Sequence, residues 1–201
     1  MTRPIDFYFD FASPYGYFAS TRIDALAAKY GRTVEWHPVL LGVVFKTTGA
    51  APLPMVPIKG PYSLHDFERT ARWHDIPYKF PDPFPLATQL AARAMLWVQQ
   101  THGADKAVAF AKAVYRAYFV DGRNIMLPET LTAVAEAFDI DAAAMLAGAN
   151  DEATKGRMKL DMETAMARGV FGSPFVIVDD EPFWGFDRFE QIETWLKNGN
   201  I

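Results

Sequence analysis

Ser13-Pro14 stands between an aromatic run, Ile5-Asp6-Phe7-Tyr8-Phe9-Asp10-Phe11, and a segment with apolar residues at helical spacing. Serine is a preferred helix N-cap and proline is favoured in the first helical turn, so Ser13 is expected at a helix N-terminus. Taken alone, that is a capping arrangement. The same place offers free N–H groups and roughly half a positive charge, so a thiolate held there would be stabilised. Ser13 has no evident base partner and no Gly-x-Ser-x-Gly elbow around it, which makes it a group that stabilises an anion and not a nucleophile. A second point of interest is Ser173-Pro174, an X-Pro step just before the apolar run Phe175-Val176-Ile177-Val178. A third is Asp187, which with Glu190 forms an Asp-x-x-Glu capping-box variant ahead of a final amphipathic helix, with Arg188 in its first turn. Lys59 reads as a charge in a loop, and Tyr15, Tyr62 and Trp184 as core or rim aromatics.

The composition narrows the chemistry. There is no cysteine among 201 residues. That excludes disulfides, thiolate metal sites and protein-borne thiol chemistry, but not chemistry on a thiol carried by a ligand. His37, His65, His74 and His102 contain no His-x-x-x-His pair and read as structural or surface groups, so no metal is expected. Phosphate-binding and dinucleotide-binding glycine motifs are absent. A net charge of -4 without a basic block argues against nucleic acid as a partner. No apolar run approaches the ~18 residues of a membrane helix, and Arg3 and Asp6 come too early for a secretory core, so no membrane partner and a cytoplasmic location are expected.

Hydrophobic periodicity supplies the elements that must position these residues. It predicts a strand over residues 5–11, a helix from Ser13 to a stop at Gly31, and a strand over 33–40. A proline-rich loop follows over about 45–61. Helical segments are predicted near 63–75, 87–101, 104–119, 128–138 and 152–168. The chain then returns to a strand at 175–178, a turn at 179–182, a hairpin partner from Phe183, and a helix over 187–196. The order is β-α-β, a helical block, then β-β-α. Neither outer part makes a good core alone, so residues 1–61 and 169–201 are expected to form one discontinuous α/β domain and 62–168 a helical insertion domain. βαβ followed by ββα is the thioredoxin layout, in which the proline before the third strand is cis and faces the first helix; without that layout Pro174 reads as an ordinary trans strand-start proline.

Within that layout, Phe9-Asp10-Phe11-Ala12-Ser13-Pro14-Tyr15 resembles the opening of the 2-hydroxychromene-2-carboxylate isomerase and kappa-class glutathione transferase family. That family is similar to the disulfide-forming oxidoreductases, with serine at the place of the attacking cysteine; Gly16 stands at the place of the second. Pro57-Ile58-Lys59-Gly60-Pro61-Tyr62, Gly169-Val170-Phe171-Gly172-Ser173-Pro174 and Trp184-Gly185-Phe186-Asp187-Arg188 are similar to three further segments of the family. The resemblance covers essentially the whole chain. It departs at Ala50 and Ala87, where the family often carries asparagine, and both fall where an acceptor pocket would be shaped.

The resemblance implies glutathione as cofactor. Ser13 would stabilise its thiolate. Ser13, Lys59, Ser173, Pro174, Asp187 and Arg188 would bind it, with Asp187 accepting the ammonium and Lys59 or Arg188 meeting a carboxylate. The backbone at Ser173-Pro174 would pair with the tripeptide as an added strand. Tyr15, Tyr62 and Trp184 would line the pocket of a small aromatic substrate. The implied reaction is a cis–trans isomerisation, in which thiolate adds to a conjugated carbon, the bond rotates, and elimination regenerates glutathione. A kappa-type transferase or peroxidase would use the same site, and a non-catalytic binding protein would keep only the fold. A homodimer is implied by the family alone.

Overall fold

The structure, a computed structural model, describes residues 3–201. In chain order the elements are β1 (Ile5–Phe9), α1 (Pro14–Ser20), α2 (Ile23–Lys29), β2 (Val34–Pro38), α3 (Leu41–Thr48), α4 (Lys59–Trp73), α5 (Gln89–His102), α6 (Ala104–Phe119), α7 (Pro128–Glu136), α8 (Ala142–Ala149), α9 (Glu152–Ala167), β3 (Phe175–Val178), β4 (Glu181–Trp184) and α10 (Phe189–Asn198). The sheet runs β2-β1-β3-β4, with β1 parallel to β2 and the other pairs antiparallel. This is the thioredoxin-like α/β arrangement expected from the order of elements, with a large helical segment between β2 and β3.

Period-two alternation in β1 divides the core. Ile5, Phe7 and Phe9 join the larger cluster, which also takes in Trp36, Phe110, Tyr115 and Phe119, while Tyr8 faces a second cluster with Val39, Met158, Met162 and Phe175. Phe7 meets Trp36 edge-on at 4.9 Å, and Phe9 reaches Tyr115 at 5.6 Å. The helical segment is therefore packed directly on the strand that leads to Ser13. Burial of each such ring contributes about 1.5–3 kcal/mol. Among the described residues no helix is long and apolar enough to cross a membrane.

Several boundaries differ from the sequence expectation. The helix foreseen over Ser13–Gly31 is broken, because the Thr21 N–H and hydroxyl both turn back onto the Phe18 carbonyl, at 3.2 and 2.7 Å, and α2 restarts at Ile23. The stretch foreseen as a loop over 45–61 holds the end of α3 and a 3-10 turn at Leu53–Met55, and α4 begins at Lys59 itself. Helix α8 went unseen because its alanines and glycine carry no apolar stripe; the signal that marks it is Asp141, whose carboxylate accepts the Ala144 N–H at 3.0 Å. The final hairpin turns at Asp179-Asp180, both with positive φ, so Glu181 is already in the strand. Asp187 does not cap a helix. A 3-10 turn at Phe186–Arg188 displaces the start of α10 to Phe189, and the Asp187 carboxylate is left outward.

Tyr115 ties α6 to the site. It is fully buried and its hydroxyl donates to the Asp10 carbonyl at 2.9 Å. Tyr115→Phe is expected to cost about 1 kcal/mol, since that carbonyl keeps a second donor in the Ser13 N–H. In thermal unfolding this reads as a fall of roughly 2–4 °C; no fall would mean that the bond contributes nothing.

Candidate active site

Ser13 is the N-cap of α1, as its type and its proline neighbour foretell. Its backbone is extended, its Oγ accepts the Gly16 N–H at 3.0 Å, and it is 6% exposed. The same hydroxyl donates to the Ser173 carbonyl at 2.8 Å, and the Ser173–Pro174 bond is cis. Residues 160 positions apart thus meet at one helix start. The Pro174 carbonyl in turn accepts the Gly185 N–H at 3.1 Å, which brings the Gly185–Arg188 turn to the same edge.

These contacts divide the donors and acceptors of the site. The Ser173 carbonyl, expected to be free for a ligand strand, already accepts from Ser13. The Ser173 N–H makes no hydrogen bond to the described residues, so a donor beside the cis-proline stands open. The Ser173 hydroxyl lies behind, accepting the Asp10 N–H at 2.9 Å. A ligand with a carbonyl for the Ser173 N–H and an anion at Ser13 satisfies both groups. The anion would accept the Ser13 O–H hydrogen bond in place of the Ser173 carbonyl.

Asp187 and Arg188 bring charge to this edge. Asp187 has a side chain 72% exposed and lies 3.4 Å from Arg188. Lys59, exposed at the first residue of α4, pairs with no carboxylate among the described residues. Carboxylate, guanidinium and ammonium suit a zwitterionic peptide whose ends carry opposite charges.

The three aromatics have separate surroundings. The Tyr15 hydroxyl donates to Asp66 of α4, and Arg69 bonds both Asp66 and, at 3.0 Å, the Tyr62 hydroxyl. Burial, followed by the Asp66 carboxylate and more weakly by Asp187, holds the Tyr15 phenol well above its ordinary pKa. Tyr15 is therefore a neutral phenol that struts α1 against α4. Trp184 is 55% exposed, with Phe171 against its ring at 4.8 Å. Tyr62 is exposed on α4, three residues after Lys59. The structure brings Ser13, Ser173 and Pro174 into contact, sets Asp187 and Arg188 beside them, and holds Tyr15 and Tyr62 on the α1–α4 side.

Asp10, Thr88, Asp66 and Arg69 were not singled out from sequence. Asp10 could have been: a carboxylate inside an aromatic strand, three residues before Ser13, has to find partners. His37 also has neighbours that spacing along the chain does not reveal. It bonds Asp6 at 2.8 Å, with Glu35 at 3.9 Å, on adjacent strands in register. Asp6, Glu35 and His37 are close enough to hold a metal ion. Arg168 already stands there as the cation, 2.8 Å from Asp6.

Comparison with known proteins agrees with this geometry. The profile described as DSBA-like thioredoxin domain matches residues 4–197. A 2-hydroxychromene-2-carboxylate isomerase of Sphingobium xenophagum is 32% identical, over 98% of this chain and 99% of its own length. A glutathione S-transferase kappa 1 of Caenorhabditis elegans is 28% identical, over 96% of this chain and 90% of its own. Among solved structures, a 2-hydroxychromene-2-carboxylate isomerase superposes with a TM-score of 0.86 at 28% identity, covering 97% of this chain and 95% of that one.

Proposed function

Because this chain belongs to the DSBA-like thioredoxin domain family, and within it to the enzymes related to 2-hydroxychromene-2-carboxylate isomerase, we propose that it is a glutathione-dependent cis–trans isomerase acting on 2-hydroxychromene-2-carboxylate or a related small aromatic carboxylate. The observation that carries the reading is the Ser13 hydroxyl held at a helix N-terminus against the cis Ser173–Pro174 step, in a chain without cysteine. A site of this shape can stabilise a thiolate but has no thiolate of its own. Bound there, glutathione supplies the sulfur that adds to and leaves the conjugated carbon.

The chain's own residues do the rest. The Ser173 N–H holds the peptide in extended form along the edge beside Pro174. Asp187 fixes the ammonium end, and Arg188 and Lys59 fix the carboxylates. Ser13 and the first N–H groups of α1 favour the ionised thiol, whose unperturbed pKa lies near 8.5. Tyr15 and Tyr62 close one side and Trp184 the other, and their rings exclude water from an aromatic acceptor. We extend the reading to a homodimer on the resemblance alone, and to a cytoplasmic location on the sequence.

Calorimetric titration with glutathione tests the cofactor. Asp187→Ala is expected to weaken binding about tenfold, the scale of one partly exposed charge-assisted hydrogen bond. No binding by the unaltered protein at millimolar glutathione would overturn the assignment. Isomerisation of the chromene with glutathione undiminished over many turnovers is the expected assay result. Consumption of glutathione would point instead to a kappa-type transferase.

A further inference from the structure

The carboxylate of Asp10 is 3% exposed and has no part in the chemistry described so far. Its Oδ1 accepts the Ala12 N–H at 2.8 Å and the Thr88 hydroxyl at 2.9 Å, and its Oδ2 accepts the Leu41 N–H at 2.7 Å. These donors lie at three helix starts. Ala12 is two residues ahead of α1, Leu41 is the first residue of α3, and Thr88 is the N-cap of α5. The Asp10 backbone reaches the site as well, with its N–H on Ser173 Oγ and its carbonyl accepting the Ser13 N–H at 2.9 Å. One residue therefore joins both halves of the Ser13–Ser173 pair to the helical segment.

All three groups donate to the carboxylate. Two are backbone N–H groups that cannot accept, and only the Thr88 hydroxyl has lone pairs to offer, so the geometry favours the anion. Burial presses the other way and raises the Asp10 pKa, with the bonds from Ala12, Leu41 and Thr88 opposing it. No lysine, arginine or histidine pairs with Asp10 among the described residues. The titratable groups that feel its charge are the phenols of Tyr115 and Tyr118 on α6, kept protonated by burial first and by Asp10 second.

We propose that Asp10 is the positioning residue of this site and its fixed counter-charge: ionised, it gathers three helix starts around Ser13 and Ser173 and tempers the positive potential offered to an anion at Ser13. The proposal rests on the reading that a thiolate is held there. The bonded path from Oδ1 through Ala12 and Ser13 keeps the two sites within about 10 Å. At an effective dielectric near 20, a unit charge at that range moves a thiol pKa by about one unit. The benefit is poise. A thiolate stabilised too far loses nucleophilicity, and one stabilised too little leaves the carbon slowly.

Because the chain has no cysteine, Ser13→Cys supplies a single thiol whose ionisation is read from the pH dependence of alkylation by iodoacetamide, with no glutathione present. Adding Asp10→Asn is expected to lower that pKa by about one unit while the far-ultraviolet circular dichroism is unchanged. An unchanged or raised pKa in the folded double variant overturns the proposal, because a purely structural role would not move the thiol downward. If Asp10→Asn does not fold, carbon-13 titration of the Asp10 carboxyl in the Ser13→Cys protein decides. An ionised carboxylate at pH 7 is expected, and a protonated one overturns the counter-charge. A failure of glutathione to bind in the calorimetric test leaves all these outcomes readable.

Discussion

Ser13→Ala is expected to lower turnover about a hundredfold, the usual loss when one donor to a developing or stabilised anion is removed. Glutathione affinity should change much less, because Asp187, Arg188, Lys59 and the Ser173 N–H remain. The bound thiol should also ionise at higher pH, because the hydroxyl donor to the thiolate is gone, and the helix N-terminus that persists limits the rise. Steady-state rates at saturating glutathione, together with thiolate absorbance against pH, separate these effects. A structural cost accompanies them. The Gly16 N–H loses its cap and the Ser173 carbonyl loses its donor, for about 1 kcal/mol of stability. Unchanged turnover would show that Ser13 only caps α1.

Gly16→Ala should be the more damaging change to the fold of the site. In an ordinary helix interior, alanine for glycine stabilises by about 1 kcal/mol. Here the added Cβ would lie 2.7 Å from both the Ser173 and Tyr115 hydroxyl oxygens and 3.0 Å from Ser13 Cβ. None of the three can withdraw freely. Ser173 Oγ holds the Asp10 N–H, Tyr115 holds the Asp10 carbonyl, and Ser13 is the cap. Overpacking of this kind costs about 1–3 kcal/mol; with the helix-propensity gain of about 1 kcal/mol set against it, a net loss of up to about 2 kcal/mol lowers the midpoint by up to roughly 8 °C for a chain of this size. Activity should fall at least tenfold with it. Gly156→Ala in α9, where nothing lies within 4 Å of the added atom, is the control and should stabilise slightly. Equal stability for the two variants would mean that the site accommodates a methyl group.

Much of this arrangement is legible in the sequence, for identifiable reasons. Ser13-Pro14 signals a helix start through local chemistry, and the structure places the cap there. The β-α-β and β-β-α ends are carried by aromatic and β-branched runs, which need no partner to be recognised. Asp187 shows the limit. An Asp-x-x-Glu spacing marks a capping box only if a helix begins at the aspartate, and the turn made by Gly185, with φ of 111°, moves that start by two residues. The result is a carboxylate freed for other work. Asp10 shows a different limit. Its partners are supplied by residues 12, 41 and 88, and no window of sequence contains all three. The Asp6–His37 pair, created by strand register, is hidden for the same reason.

The bond from Tyr15 to Asp66 has a bearing on how such enzymes diversify. It fastens α4 to α1 two turns beyond Lys59, with Arg69 and Tyr62 bracing it from the same helix. Lys59 is therefore located from both sides, by the helix behind it and by the segment that leads into it, whose Pro57 and Val56 carbonyls accept the Lys59 and Gly60 N–H groups at 2.8 Å. Residues 49–51, all exposed and carrying Ala50, make no bond to α4 and can drift in sequence without disturbing the lysine. A designed library confined to that stretch would test whether it selects the acceptor while the placement of Lys59 is kept.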